Sequence, residues 1–185
     1  MVRARQQRFD NGLVVEEREP MQRYRITVDG HASAAPAFAC PSNETLLRGG
    51  LRAGVPLPYE CSVGGCGGCR YRLLEGTVRD LWPQAPGLKA SDRRRGLFLA
   101  CQSVPASDCT IQLRLPAERE VSALPSRCAV RLEARRELAS GLYELRWRGD
   151  RPAVFWPGQY ALVEMPGVYG PRAYSMSNQP NDEGL

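Results

Sequence analysis

Cys61, Cys66 and Cys69 stand as C-x4-C-x2-C, and Cys101 follows after 31 intervening residues. This spacing constrains the chain more than any other feature. No single helix or strand can aim four thiolates at one centre, so a loop must wrap it. The spacing is the plant-type [2Fe–2S] pattern. Gly64, Gly65, Gly67 and Gly68 are interleaved with the first three cysteines. They let the loop take positive φ angles. They also let backbone N–H groups approach an anionic centre, as concave loops of amides do. A cluster with both irons ferric carries a net charge of about −2, which inward N–H groups offset.

Other uses of the cysteines fit less well. Four-cysteine zinc sites usually pair two short knuckles, and Cys101 has no close partner in sequence. A disulfide framework suits an even count in a small secreted domain. This chain has 7 cysteines, and its N-terminus has no hydrophobic signal core. Cys40, Cys109 and Cys128 lie in or beside β-like stretches, where a free cysteine is expected as a small buried apolar residue. Free thiols and an iron–sulfur site fit a reducing cytoplasm. No apolar run approaches the ~20 residues needed to span a bilayer, so no membrane association is expected.

The net charge is +5, and its distribution argues against nucleic acid as a partner. Residues 1–20 balance four Arg against four acids, and a single Lys, Lys89, stands against 24 Arg. That imbalance reads as coding bias. The one basic run, Arg93-Arg94-Arg95, reads as a solvated helix face, with a docking patch for an acidic partner as the alternative. His31, the only histidine, sits beside Gly30 as a turn residue and cannot alone make a metal or catalytic site.

Residues 1–20 are polar and aperiodic, and read as a disordered tail. Tyr24, Ile26 and Val28 then alternate with polar residues in a strand, and Ala37 to Cys40 forms a second. Ser42 or Asn43 is expected to cap a helix from about Glu44, with Leu46, Leu47 and Leu51 on its apolar face. Gly49 and Gly50 weaken it, and Gly54 stops it. Arg70 to Leu74 is a strand turned by Glu75-Gly76. Trp82 to Gly87 is irregular, and Ser91 caps a short helical turn. Leu97 to Leu99 brings an apolar wall to Cys101. Ile111, Leu113 and Leu115 alternate in a closing strand. The expected fold class for 21–116 is α+β: a small mixed sheet on one helix, like a β-grasp. Residues 117–126, between Pro116 and the prolines' far end at Pro125, read as a linker. Residues 127–185 turn purely β, with strands near Val130, near Leu142 to Trp147, over 158–165 and over 172–178. Such a pattern suggests the start of an antiparallel barrel.

Arg172-Ala173-Tyr174-Ser175, placed after Pro157-Gly158-Gln159-Tyr160, resembles the flavin-binding barrel of the ferredoxin–NADP reductase superfamily. Together with the cysteine pattern in front, the order resembles the reductase components of multicomponent oxygenases. Leu81 to Leu88 and Phe98 to Gln102 look closest to the toluene and related aromatic monooxygenase reductases. The resemblance covers about residues 22–182. It implies that Cys61, Cys66, Cys69 and Cys101 hold the cluster and that 127–185 is part of a FAD-binding barrel. It gives Arg172 the flavin pyrophosphate, which a bidentate cation suits. Tyr174 would stack on the isoalloxazine, and Ser175 would bond near its N5. The implied function is electron transfer from NADH through FAD and [2Fe–2S] to an oxygenase or hydroxylase component, or to its ferredoxin. The family's second flavin segment and nicotinamide domain have no counterpart in these residues, so a truncated form is expected. The alternatives are a non-enzymatic ferredoxin carrier and the reductase of a ring-hydroxylating dioxygenase.

Overall fold

A computed structural model describes residues 6–8, 14–16, 21–30, 35–115 and 124–179, apart from 153, 157, 166 and 169. His31, Pro157, residues 117–123 of the linker and the closing turn at 180–185 lie outside the described residues. Within the segment read as a disordered tail, β1 (Gln6–Arg8) and β2 (Val14–Glu16) pair antiparallel, with Gln6 opposite Glu16. Two short runs in hairpin register satisfy each other's backbone, which needs no apolar periodicity.

The alternation at Tyr24, Ile26 and Val28 forms β3 (Arg23–Asp29), which pairs antiparallel with β4 (Ala37–Pro41). Helix α1 (Leu46–Arg52) follows. Its cap is Thr45, whose Oγ accepts from the Arg48 N–H at 3.4 Å, and not Ser42 or Asn43. The Ser42 N–H is drawn to the Gln22 carbonyl at 2.8 Å, and Glu44 N–H bonds Pro41 O, so a turn intervenes before the helix starts. β5 (Arg70–Glu75) and β6 (Val78–Asp80) come next. α2 (Ala90–Arg94) is capped from Lys89, not Ser91. Asp92, three residues on, reaches back to the Lys89 N–H at 3.3 Å and makes that the favourable start.

β7 (Leu97–Leu99), β8 (Ser103–Pro105) and β9 (Cys109–Gln112) complete the first unit. Its five-stranded sheet runs in the order β4-β3-β9-β5-β7, and β6 pairs with β8 separately. The β3–β9 pair is parallel and the other pairs are antiparallel, which makes the sheet mixed. Ile26, Val28, Phe38, Leu46, Leu47, Leu57, Tyr71 and Ile111 form the core between sheet and helix. The α+β expectation and the position of its apolar face hold.

The second unit is all β among the described residues. β10 (Val130–Ala139) and β11 (Leu142–Gly149) form one antiparallel ribbon, β12 (Tyr160–Val163) and β13 (Arg172–Ser175) another. The described strands do not close into a barrel. Among the described residues no helix is long and apolar enough to cross a membrane.

Candidate metal centre

The sheet solves the problem posed by the long interval before Cys101. Cys69 immediately precedes β5, and Cys101 lies in the 3-10 turn Ala100–Gln102 that immediately follows β7. β5 and β7 are paired antiparallel with Arg70 opposite Leu99. Pairing therefore brings the start of one strand to the end of the other. The Ala100 N–H bonds the Cys69 carbonyl at 3.0 Å, and the two sulfurs stand 3.3 Å apart. Cys61 and Cys66 come together through the loop itself. The N–H groups of Gly65 and Cys66 donate to Cys61 Sγ at 3.3 and 3.4 Å, and Gly68 N–H donates to Cys66 Sγ at 3.3 Å.

The donor set fits a binuclear iron–sulfur group. The Cys69 and Cys101 sulfurs stand 3.3 Å apart, and the Cys61 and Cys66 sulfurs accept N–H groups of one loop, an all-thiolate set of the kind such a group takes. Burial pushes the Cys61 thiol up, but N–H groups of Val63, Cys66 and Gly65 outweigh it and leave Cys61 below the ordinary thiol range. The hydrogen bond between the Cys69 and Cys101 sulfurs lowers Cys69 to about 7, while the same bond and burial raise Cys101. Two thiolates 3.3 Å apart repel each other, so both ionise together only when they share a cation. The four differ in access: Cys69 and Cys101 are buried, and Cys66 is exposed.

The irregular segment Trp82 to Gly87 serves this loop. Gly87 N–H donates to the Gly64 carbonyl at 2.9 Å. A Cβ on Gly87 would stand 2.6 Å from Gly67 N and 2.8 Å from Gly64 O. Backbone thus meets backbone, which only glycine allows at that approach.

The other cysteines divide. Cys40 and Cys109 are buried, as expected, and burial pushes the Cys40 thiol up to about 12. Cys128 is exposed, against expectation, because it precedes β10 and joins no packed face. The arginine run is not uniformly solvated either. Arg93 pairs with Asp80 at 2.9 Å, while Arg94 and Arg95 are exposed.

Arg172, Tyr174 and Ser175 all lie on β13. Alternation puts Arg172 and Tyr174 on one face and Ala173 and Ser175 on the other. Ser175 and Ala173 line a cavity of about 400 Å³ with Glu60, Cys61, Val63, Cys66 and Tyr160. Arg172 and Tyr174 lie outside its lining, with Arg172 Nη1 donating to the Pro171 carbonyl at 3.3 Å. Two residues given no role from the sequence join the units here. Tyr160 OH lies 2.6 Å from the Glu60 carbonyl and 2.7 Å from Ser62 Oγ. The one hint in the sequence is a hydroxyl residue inside an otherwise glycine-rich loop. Its partner is 98 residues away.

Residues 27–106 match the family described as 2Fe-2S iron-sulfur cluster binding domain. The chain is 42% identical over 167 residues to the ferredoxin–NAD(P)+ reductase CarAd of Metapseudomonas resinovorans, covering 88% of this chain and 49% of the relative. It is 42% identical over 149 residues to the ferredoxin–NAD+ reductase component of the alkene monooxygenase system of Xanthobacter autotrophicus, covering 80% and 45%. The solved structure of the ferredoxin reductase in carbazole 1,9a-dioxygenase superposes with a TM-score of 0.75 at 38% identity, covering 90% of this chain and 49% of that one. The chain thus spans about half the length of these relatives.

Proposed function

We propose that this chain, whose residues 27–106 match the 2Fe-2S iron–sulfur cluster binding domain family and which is similar to ferredoxin–NAD(P)+ reductase components of oxygenase systems, is the electron-transfer part of such a reductase. Its electrons come from NADH by way of FAD, and its acceptor is an oxygenase component or that component's ferredoxin. The observation that carries this reading is one cavity shared by two cluster cysteines, Cys61 and Cys66, and the flavin-motif residue Ser175. Relatives of both dioxygenase and monooxygenase systems are found, so the proposal names an oxygenase partner of either kind. We assign residues 21–116 to the cluster domain, 117–126 to the linker and 127–185 to part of the flavin domain.

When bound, the [2Fe–2S] group supplies a one-electron site and FAD an acceptor of electron pairs that can release them singly. This chain's residues supply the geometry. Cys61, Cys66, Cys69 and Cys101 would hold the irons. The N–H groups of Gly65, Cys66 and Gly68 point at thiolate sulfurs and stabilise added negative charge. Cys69 and Cys101 lie within the core cluster and are shielded from water there. Cys61 and Cys66 border the cavity that Ala173 and Ser175 of β13 also line. Arg172 would hold the pyrophosphate, Tyr174 the ring face and Ser175 the ring edge.

Anaerobic purification followed by iron and sulfide analysis tests the cluster: about two of each per chain are expected, and zinc in their place would overturn it. Titration of FAD fluorescence tests the flavin: quenching that weakens in Arg172→Ala is expected, and no quenching would leave a plain ferredoxin carrier.

A further inference from the structure

We propose that Tyr160 is a positioning residue that locks the cluster loop onto the flavin ribbon, with Ser62 as its counterpart. The proposal deepens the function argued above and rests on it. The hydrogen bonds have a determined direction. A carbonyl only accepts, so the single phenol proton of Tyr160 goes to Glu60 O at 2.6 Å. The 2.7 Å contact with Ser62 Oγ is then donated by Ser62. The result is a chain from Ser62 hydroxyl to Tyr160 hydroxyl to Glu60 carbonyl that brackets Cys61 from both sides in sequence.

Ser62 supports a dedicated role. It has φ +58, the only positive φ of a non-glycine among the described residues. Glycine takes this conformation freely, and four glycines already stand in the loop, so a side chain here needs a reason. Ser62 is buried, and its hydroxyl is spent on Tyr160.

Tyr160 also occupies the right place on the ribbon. It stands directly opposite Ser175 in the β12–β13 register. One residue therefore grips the loop and flanks the flavin-side serine, across the cavity of about 400 Å³ that Cys61 and Cys66 share. A second tie prevents pivoting. Glu164 follows directly on the end of β12 (Tyr160–Val163). It pairs with Arg48 of α1 at 2.7 Å and with Arg127. Ties at the two ends of β12 fix the direction of the ribbon as well as its distance. Electron transfer falls steeply with separation, so a fixed spacing serves the proposed reaction directly.

The test uses the cluster-loaded chain and four variants: Tyr160→Phe, Ser62→Gly, their double, and Tyr143→Phe on β11 as control. Ser62→Gly retains the backbone conformation and so carries the test even if Tyr160→Phe folds poorly. The readouts are amide hydrogen exchange over residues 58–66 and the visible circular dichroism of the cluster. Ser62→Gly is expected to speed exchange about fivefold, the worth of one neutral hydrogen bond, and Tyr160→Phe, which removes two, to speed it more. Both should alter the cluster dichroism in the same way, with iron and sulfide content unchanged. The double variant should do no more than Tyr160→Phe alone, because that change already removes both bonds. The control should match the parent. Unchanged exchange and dichroism in both single variants, or additive effects in the double, would overturn the positioning role. A parent chain that takes up no cluster would instead overturn the function on which the role rests.

Discussion

Replacing Gly67 by Ala should destroy the cluster site, while the same change at Gly65 should leave it intact. The sequence treats these glycines alike; the backbone does not. Gly67 has φ +78, and Gly65 has no positive φ. A left-handed conformation costs an alanine about 1–2 kcal/mol. The added Cβ at 67 would also fall onto the carbonyl oxygen of Gly87. That oxygen cannot yield freely, because Gly87 N–H is held by Gly64 O at 2.9 Å. Forcing such a contact costs about 1–3 kcal/mol more. The total, about 2–5 kcal/mol, is a large part of the 5–15 kcal/mol that holds a typical domain together. At Gly65 a Cβ would meet only Cys61 Sγ, at 3.9 Å, so the change should stay within about 0.5 kcal/mol. The assay is iron per chain after anaerobic reconstitution, with urea unfolding followed by far-ultraviolet dichroism. Gly67→Ala should lose most of its iron and shift the urea midpoint down. Retention of full iron and parent stability by Gly67→Ala, or equal losses in the two variants, would refute the argument.

Cys66→Ser should lose the cluster, because a hydroxyl is a hard, poor ligand for this iron, whereas Cys40, Cys109 and Cys128 should each tolerate Ala without loss of iron; the visible spectrum decides. The midpoint potential should lie near −400 mV, the range for all-thiolate plant-type clusters, and a positive value in a potentiometric titration would contradict the ligand set. Gly50→Ala should destabilise by about 1–2 kcal/mol despite a better helix propensity, since its Cβ would sit 2.5 Å from Leu57 Cδ1 and 3.2 Å from Phe38 Cζ, both in the core; a raised urea midpoint would show that propensity wins. Burial raises the Glu164 carboxyl, but Arg48 and Arg127 outweigh it and leave it below the usual range. Its tie should therefore be fully present above the unfolded carboxylate value of about 4.3 and be lost as pH falls below it. Amide exchange over residues 160–165 should rise across that window, and should do so much less in Glu164→Gln.

The sequence by itself pointed to the chemistry. Four cysteines at one spacing, with glycines between them, make up the proposed ligand set. Alternation at Tyr24, Ile26 and Val28, and the leucines at 46, 47 and 51, determined which faces are buried, because side-chain period follows directly from backbone geometry. What the sequence left open were matters of long-range approach. Thr45 and not Ser42 caps α1 because the Ser42 N–H is claimed by the carbonyl of Gln22, just before β3. Gly49 and Gly50 read as weak points of a helix, yet a Cβ there would meet Cys40 Sγ at 2.7 Å and Leu57 at 2.5 Å. The cause of these glycines is packing, which no local window contains. Only strand pairing brings Cys101 to Cys69, and only the docked ribbon brings Tyr160 to Ser62, 98 residues apart in the chain. A residue type announces what it can bond; its partner is decided by the fold, since hydrogen bonds and close contacts act over a few ångströms and sequence distance does not measure them.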